Sequence, residues 1–178
     1  MKKIIFILLM CVATLTATAQ NTIKFLGIPV DGTKQEMIEQ LQAKGFVYDS
    51  MSGYLTGEFN GEPSTINIQT VHNKVWRIWV MNTISYRDKT IAKNKFNTLL
   101  YHFLNNEKYI YLIGDAISEN EDISYEITVN NKRYEAGFKP KDETINGLVW
   151  YILVKRFGGY NITIFYENPN NAANGEDL

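Results

Sequence analysis

Two neighbouring segments of the 178-residue chain carry residue types that bind ligands by stacking and hydrogen bonding. Arg77 and Trp79 stand two positions apart in one apolar run, and Asn67 and Gln69 stand two positions apart in the run before it. Residues two apart in a β-strand point to the same face. If the two runs pair as a hairpin, these four side chains share a wet sheet face that suits a protein surface or a sugar ring. Tyr151, in a later strand that is apolar on both faces, is predicted to join them.

A structural interpretation of the same strands remains open. Strict alternation in segment 75–81 places Trp76 with Ile78 on one face, and Val75 with Trp79 on the other. Strands that are apolar on both faces are either sandwiched or border a binding surface. If loops or the other half of the chain cover the second face, Trp79 is a core residue. An arginine is costly to bury unpaired, which favours exposure of the face that carries Arg77.

Catalytic chemistry has weaker support in the sequence. Two carboxylates facing one cleft could hydrolyse a glycoside, and four lie on predicted strands or turns: Glu58, Glu62, Glu126 and Glu135. His72 and His102 could act as bases near neutral pH, but neither lies in a metalloprotease motif. We therefore expect no catalytic residue and no cofactor, and a small glycan-processing hydrolase is the less favoured alternative.

Metal binding and modification rest on short patterns. The acidic residues between 115 and 122 lack the spacing of a calcium loop, so a solvated loop is expected and no metal site is predicted. Asp49-Ser50-Met51 resembles the Asp-Ser/Thr-apolar pattern of O-glycosylated exported proteins in Bacteroidetes. Because Ser50 falls in a predicted loop, it is a candidate O-glycosylation site.

Residues 1–19 have the features of a secretory signal peptide: a lysine pair, a short apolar run and an Ala-Thr-Ala ending. Cleavage near Ala19 would give a periplasmic or secreted protein beginning at Gln20. The run is too short for a spanning helix of ~20 residues, so no stable membrane insertion is expected. Lipid anchoring is not expected either, because Met10 stands where a lipidated Cys11 would need a small residue.

Composition excludes several classes. The chain is 45% hydrophobic and 21% charged, as in ordinary globular proteins. Its 18 basic and 19 acidic residues leave a formal net charge of −1, so nothing indicates a nucleic-acid partner.

Periodicity predicts two helices, over 34–44 and 88–106. Thr33 and Glu36 form a capping box for the first. In the second, Phe96 belongs to the apolar stripe and Lys93 to the opposite, polar side. Strands are predicted over 46–49, 54–59, 65–71, 75–81, 109–113, 123–129, 132–138, 148–157 and 160–166.

This order predicts an α+β fold of two tandem helix-plus-antiparallel-sheet units, with the helices packed on one face of the sheet. Residues 20–167 would form a single domain, with candidate half-repeats over 28–83 and 85–167. Residues 168–178 are polar and predict a flexible tail.

The segment Ile28-Pro29-Val30-Asp31-Gly32-Thr33, followed by Met37, Leu41 and Gly45, resembles the opening of secreted β-lactamase-inhibitor-protein-like modules. Outer-membrane assembly lipoproteins of the SmpA/OmlA type share that opening. The resemblance implies a short amphipathic helix packed on a four-stranded antiparallel sheet. The longer string GIPVDGTKQEMIEQLQAKGF, with YLTGEFNG and NKVWRI, is similar to secreted proteins of Bacteroidetes gut bacteria, which implies export and no particular activity.

Together these observations predict an exported, non-enzymatic binding module that docks a protein or a glycan on an open sheet face. An envelope-assembly or scaffold protein is the alternative from a different class, and it would require membrane attachment.

Overall fold

The computed structural model describes residues 21–156 and 158–172. Within these ranges the chain forms ten strands, three α-helices and a final 3-10 turn. In chain order they are β1 (Lys24–Phe25), β2 (Ile28–Pro29), α1 (Lys34–Ala43), β3 (Val47–Asp49), β4 (Tyr54–Phe59), β5 (Glu62–Val71), β6 (Lys74–Asn82), α2 (Lys89–Leu104), β7 (Tyr109–Ile113), α3 (Ile123–Thr128), β8 (Tyr134–Pro140), β9 (Leu148–Arg156), β10 (Gly159–Glu167) and the turn Pro169–Asn171.

Eight strands form one continuous antiparallel sheet in the order β3-β4-β5-β6-β10-β9-β8-β7. The short strands β1 and β2 form a separate hairpin. β6 and β10 are therefore the central pair of the large sheet, and β3 and β7 are its edges.

The predicted α+β fold of two tandem helix-plus-sheet units is wrong, because the protein is mostly β and one sheet spans both halves of the chain. β6 and β10 pair in register from Arg77–Glu167 to Met81–Thr163. Turn signals report pairing only between strands that follow one another in the chain. The β6–β10 pairing joins distant segments, and it satisfies backbone N–H and C=O groups that two separate sheets would leave unpaired at their edges.

One face of the large sheet is covered and carries the core. Met37 and Leu41 of α1 and Phe96 of α2 are fully buried against it. The rings of Phe96 and Tyr151 lie 4.9 Å apart between centroids. The sheet residues buried on this face are Leu55, Ile66, Ile68, Val75, Ile78, Val80, Tyr134, Ala136, Phe138, Val149, Tyr151, Leu153, Ile162, Ile164 and Tyr166.

A β-bulge in β6 decides which side chains face away from the core. The pairing with β5 shifts by one residue, and Trp76 is the extra residue on β6. A bulge interrupts the alternation of a strand. Val75 and Ile78 are therefore both buried in the core, and Trp76 and Arg77 between them lie together on the opposite face. Strict alternation predicts the reverse for this pair of residues. It places Trp76 on the face of Ile78 and Val75 on the face of Trp79.

The strand predicted over 123–129 is wrong, because Ile123–Thr128 forms α3. The Asp122 side chain caps the helix by accepting two backbone N–H hydrogen bonds. Ile123 and Ile127 lie one turn apart and contact the core, whereas the tyrosine between them is exposed. A run this short fits both the helical and the strand period of apolar residues. Its packing against the core therefore decides whether it forms a helix or a strand.

The flexible tail predicted over 168–178 stays a prediction, and the structure describes its first residues up to Ala172. Asn168 is fully buried; its backbone N–H donates to the Trp76 carbonyl at 2.7 Å, and its Nδ2 donates to the Val30 carbonyl at 2.9 Å. The first bond fastens the end of β10 to the bulge in β6, and the second fastens it to the residue that follows β2. Residues 173–178 lie outside the described residues.

Residues 1–19, the predicted signal peptide, lie outside the described residues, as does Phe157 at the end of the strand predicted over 148–157. Among the described helices, none is long and apolar enough to cross a membrane.

Candidate functional site

Four of the residues predicted to share one sheet face do lie together. Asn67 on β5 is directly opposite Trp79 on β6, and Gln69 is directly opposite Arg77. Arg77 donates from Nη1 to Gln69 Oε1 at 3.4 Å. All four residues are half-buried, and α1, α2 and the β1–β2 hairpin pack on the other side of the sheet. We call the side that carries these four residues the open face.

The turn between β5 and β6 sets this register. His72 and Asn73 connect the two strands with φ values of 47° and 62°. Positive φ at both central residues is the geometry of the two-residue turn that matches strand twist. His72, one of the two residues considered as a base, is therefore an exposed turn residue.

An aromatic row crosses the centre of the open face. Trp79 on β6 is directly opposite Phe165 on β10, and Phe165 is directly opposite Trp150 on β9. Trp150 in turn is opposite Gly137 on β8. At the other end of the row, the Tyr54 ring on β4 lies 5.6 Å from the Trp79 ring. The row therefore extends over five neighbouring strands from β4 to β9.

Three rings and one guanidinium form a stack on this face. The Trp150 and Phe165 rings are nearly parallel, with centroids 4.0 Å apart and an interplanar angle of 9°. The guanidinium carbon of Arg77 lies 3.9 Å from the Trp76 ring centroid and 5.4 Å from that of Phe165. Attraction between a cation and an aromatic face contributes ~0.5–2 kcal/mol. The Arg77 guanidinium thus lies between the Trp76 and Phe165 rings, and its side chain stays partly exposed to solvent.

Glu167 holds two members of the stack in place. Its carboxylate lies 2.6 Å from Nη2 of Arg77 and accepts a hydrogen bond from Nε1 of Trp150 at 2.7 Å. The Arg77 and Glu167 side chains are 25% and 12% exposed, so water screens this ion pair less than one on an open surface. Glu167 therefore holds the Trp150 indole in one orientation.

Tyr151 does not belong to the open face, which corrects its assignment from the sequence. It is fully buried, and its hydroxyl donates to the Phe96 carbonyl at 3.3 Å. Burial raises the pKa of this hydroxyl well above its usual range. The sequence of a strand that is apolar on both sides does not show which side the helices cover. In this protein the helices cover the side that carries Tyr151.

Sequence reasoning missed Trp76, Trp150, Phe165 and Glu167 as members of the surface. Alternation along the strand places Trp150 and Tyr151 on opposite faces. Trp150 could therefore have been assigned to the open face once the covered face was known. The bulge hid Trp76. Phe165 and Glu167 reach the site only through the β6–β10 register, for which the sequence has no local signal.

A cleft on the covered face, between α2 and strands β5, β6 and β10, holds one of the candidate carboxylates. It has a volume of about 180 Å³, and Glu62, Lys95 and His102 are among its lining residues. Glu62 accepts hydrogen bonds from Lys95 Nζ and from the Tyr86 hydroxyl. Burial opposes the ionisation of Glu62, but these two bonds outweigh burial and lower its pKa. Among the lining residues, all within the described ranges, Glu62 is the only carboxylate, so this cleft does not assemble a glycosidase pair.

The other candidate carboxylates are not gathered in that cleft. Glu126 on α3 accepts a hydrogen bond from Asn130 at 2.9 Å. Glu135 on β8 forms an ion pair with Arg133 at 2.7 Å. Glu58 lies exposed on β4. No pair of facing carboxylates in one cleft is formed by these residues.

The backbone of the acidic segment 115–122 binds the side chain of Lys93. Lys93 of α2 is only 6% exposed, and its Nζ donates to the backbone carbonyls of Ser118 at 3.3 Å, Glu121 at 3.1 Å and Glu119. The sequence pattern had placed Lys93 on the solvent side of the helix. In the part of the chain that the structure describes, no group of three His, Cys, Asp or Glu residues could hold a metal ion.

Ser50 lies exposed between β3 and β4. Asp49 next to it accepts the Met51 backbone N–H at 2.9 Å, which shapes the turn. Its O-glycosylation stays a prediction, at a position that an enzyme can reach.

Comparison of the chain with protein-family models, with curated proteins and with solved structures finds no match.

Proposed function

We propose that this protein is an exported, non-enzymatic binding module that docks a protein or a glycan on the open face of its sheet. One observation carries the proposal. Trp79 and Arg77 lie in register with Asn67 and Gln69 on the side of the sheet opposite the helices. There they join an aromatic row rather than standing as isolated residues.

The residue types support binding rather than simple solvation. Tryptophan, tyrosine and arginine dominate the binding energy of interfaces, because each combines a large contact area with a hydrogen-bonding group. A monomer rarely leaves a contiguous apolar patch on its surface without a use. The amides of Asn67 and Gln69 supply donors and acceptors beside the rings.

Rigidity supports the proposal as well. Glu167 and the Trp150–Phe165 stack hold the rings in one arrangement, so a ligand would lose little affinity in ordering them. A second pair of neighbouring rings, Tyr54 and Trp79, forms the end of the aromatic row on the β4 side.

Export is the second part of the proposal and rests on residues 1–19 and on the resemblance to secreted Bacteroidetes modules. Protein recovered from the producing cells should begin at or within two residues of Gln20 by mass spectrometry. A protein that retains Cys11 and carries an acyl mass would instead favour the envelope-assembly alternative.

The docking surface is tested by capture on immobilised protein. Wild type, Trp79→Ala and the matched control Tyr101→Ala, an exposed aromatic on α2, are each incubated with solubilised envelope fractions of the producing cells and with a glycan library. We expect Trp79→Ala to lose at least ~90% of the specific capture while Tyr101→Ala retains it. Trp79→Ala should keep its free energy of unfolding within ~1 kcal/mol of wild type. Equal capture by all three proteins, or a Trp79→Ala protein that unfolds as a core variant does, would reject the docking surface.

A further inference from the structure

The open face contains a depression beside Trp150. It has a volume of about 330 Å³ and lies between Trp150 on β9 and the residues Leu112 and Ile113 on β7. Gly137 on β8 forms its floor. Ligand pockets span ~300–1,000 Å³, so this volume suits one ring rather than a long ligand.

Gly137 keeps one side of the Trp150 indole uncovered. Phe165 on β10 covers the other side of the indole, and β8 is the strand on the side that remains. A Cβ at position 137 would lie 3.2 Å from Cγ2 of Ile113 and 3.8 Å from Cβ of Trp150. A larger side chain there would fill the space next to the indole. The glycine therefore creates a slot with an aromatic wall and an aliphatic wall.

The rim of the slot is polar and paired. Arg133 and Glu135 both line the depression, and Nη2 of Arg133 lies 2.7 Å from Oε2 of Glu135. Their side chains are 65% and 33% exposed, so both are within reach of a ligand from solvent. The guanidinium offers several N–H donors, and the carboxylate accepts hydrogen bonds at both oxygens. Donors and acceptors thus stand together beside the exposed indole.

We propose that this slot binds one pyranose ring of a glycan, with the C–H side of the sugar on the Trp150 indole and its hydroxyl groups on Arg133 and Glu135. The assignment rests on the proposed function, since it names the ligand class of the open face. A sugar hydroxyl both donates and accepts, so it replaces the water that Arg133 and Glu135 give up. An aromatic side chain of a protein partner would remove that water without replacing its hydrogen bonds, which costs binding energy.

The fixed orientation of the Trp150 indole also favours a sugar ring as the ligand of the slot. Stacking against a flat sugar face costs less entropy when the aromatic ring is already held in place, and Trp150 is held by Phe165 on one side and by Glu167 at Nε1.

The test follows the indole N–H signals of the three tryptophans by NMR in uniformly ¹⁵N-labelled full-length protein. The probes are the methyl glycosides of β-glucose, β-galactose, α-mannose and β-N-acetylglucosamine, with p-cresol as the analogue of a tyrosine side chain. We expect at least one glycoside to shift the Trp150 indole and the Gly137 amide in a saturable manner. The Trp79 indole should shift less, because it lies two strands away from the slot.

Three variants localise the effect. Gly137→Val should weaken glycoside binding by about tenfold or more by filling the slot, and Glu135→Gln by about fivefold by removing a charged acceptor. Glu58→Gln, a matched change at an exposed carboxylate on β4, should leave binding unchanged. If Gly137→Val does not fold, Arg133→Ala replaces it, because this side chain is largely exposed and should affect only the rim.

The outcomes are distinct. Absence of a shift with all four glycosides overturns the slot, and so does a saturable shift that survives Gly137→Val or, where that variant does not fold, Arg133→Ala. A shift with p-cresol alone overturns it in favour of an aromatic side chain of a protein partner. If capture remains sensitive to Trp79→Ala while the glycosides fail, the proposed function stands and only the slot falls. If the glycosides bind and Trp79→Ala loses no capture, the slot stands and the wider docking surface falls.

Discussion

The two faces of β6 contain similar amounts of apolar side chain but are held in different ways. On the covered face, Val75, Ile78 and Val80 lie under the helices and are at most 2% exposed. On the open face, Trp76 and Trp79 remain half-buried on either side of Arg77. The covered face gains stability from removing apolar surface from water. The open face keeps its rings ordered by stacking and by the Arg77–Glu167 ion pair.

This difference bears on the docking role proposed for the open face. Side chains that are ordered by contacts within the surface do not require a helix to cover them. A rigid aromatic surface that still meets water can exchange that water for a ligand. The contrast can be tested by substitutions on each side of the sheet.

The largest effect is expected at the covered face. Phe96→Ala removes a fully buried ring that packs on Tyr151, and should lower the free energy of unfolding by ~3–5 kcal/mol. Urea unfolding followed by circular dichroism measures it. Ile91→Ala, on the same helix and 51% exposed, should change it by less than ~0.5 kcal/mol. Similar losses in the two variants would mean that α2 buries a different side.

A smaller loss is expected where α2 holds the segment 115–122. Lys93→Ala leaves the carbonyls of Ser118, Glu119 and Glu121 without their donor, which should cost ~1–3 kcal/mol in urea unfolding. Lys89→Ala is the control, because Lys89 forms one exposed ion pair with Asp122 and should cost ~0.5 kcal/mol or less. A loss from Lys93→Ala no greater than that of the control would restore the solvent-side assignment made from the helical pattern.

On the open face, the ion pair between Arg77 and Glu167 should couple the contributions of these two distant residues to the free energy of unfolding. Arg77→Met and Glu167→Gln should each cost ~1–2 kcal/mol, because each leaves a partly buried charged group without its partner. The double variant should cost less than the sum, with a coupling energy of ~1 kcal/mol in a double-mutant cycle. Additive losses would show that the stack does not depend on the pair.

The smallest effect concerns pH. The folded-state pKa of Glu62 lies below the ordinary value of 4.5, so its contribution to stability is present above that value. The contribution declines as pH falls through the lowered folded-state pKa. The difference in thermal stability between wild type and Glu62→Gln should therefore be largest at pH 6–7 and shrink below about pH 4.5. Lys95→Met should weaken this pH dependence, and a difference that grows on acidification would contradict it.

Local signals predicted local structure well. Thr33 and Glu36 form the capping box expected from their spacing, and α1 begins where it predicts. The hydrophobic stripe through Phe96 is buried as its period indicates. Asn67, Gln69, Arg77 and Trp79 were brought together correctly because one tight turn connects their two strands. In each case the interacting residues are close in the chain.

Long-range pairing decided the rest. The chain by itself determined the β5–β6 hairpin, the positions of α1 and α2 and the shared face of Asn67, Gln69, Arg77 and Trp79, since turn geometry and periodicity act within a few residues. Only the tertiary structure decided that β6 pairs with β10, which adds Phe165, Trp150 and Glu167 to that face. It also decided that the helices cover Tyr151 rather than its neighbour. A strand that is apolar on both sides can be covered on either one, and only the packing of distant elements determines which face remains open.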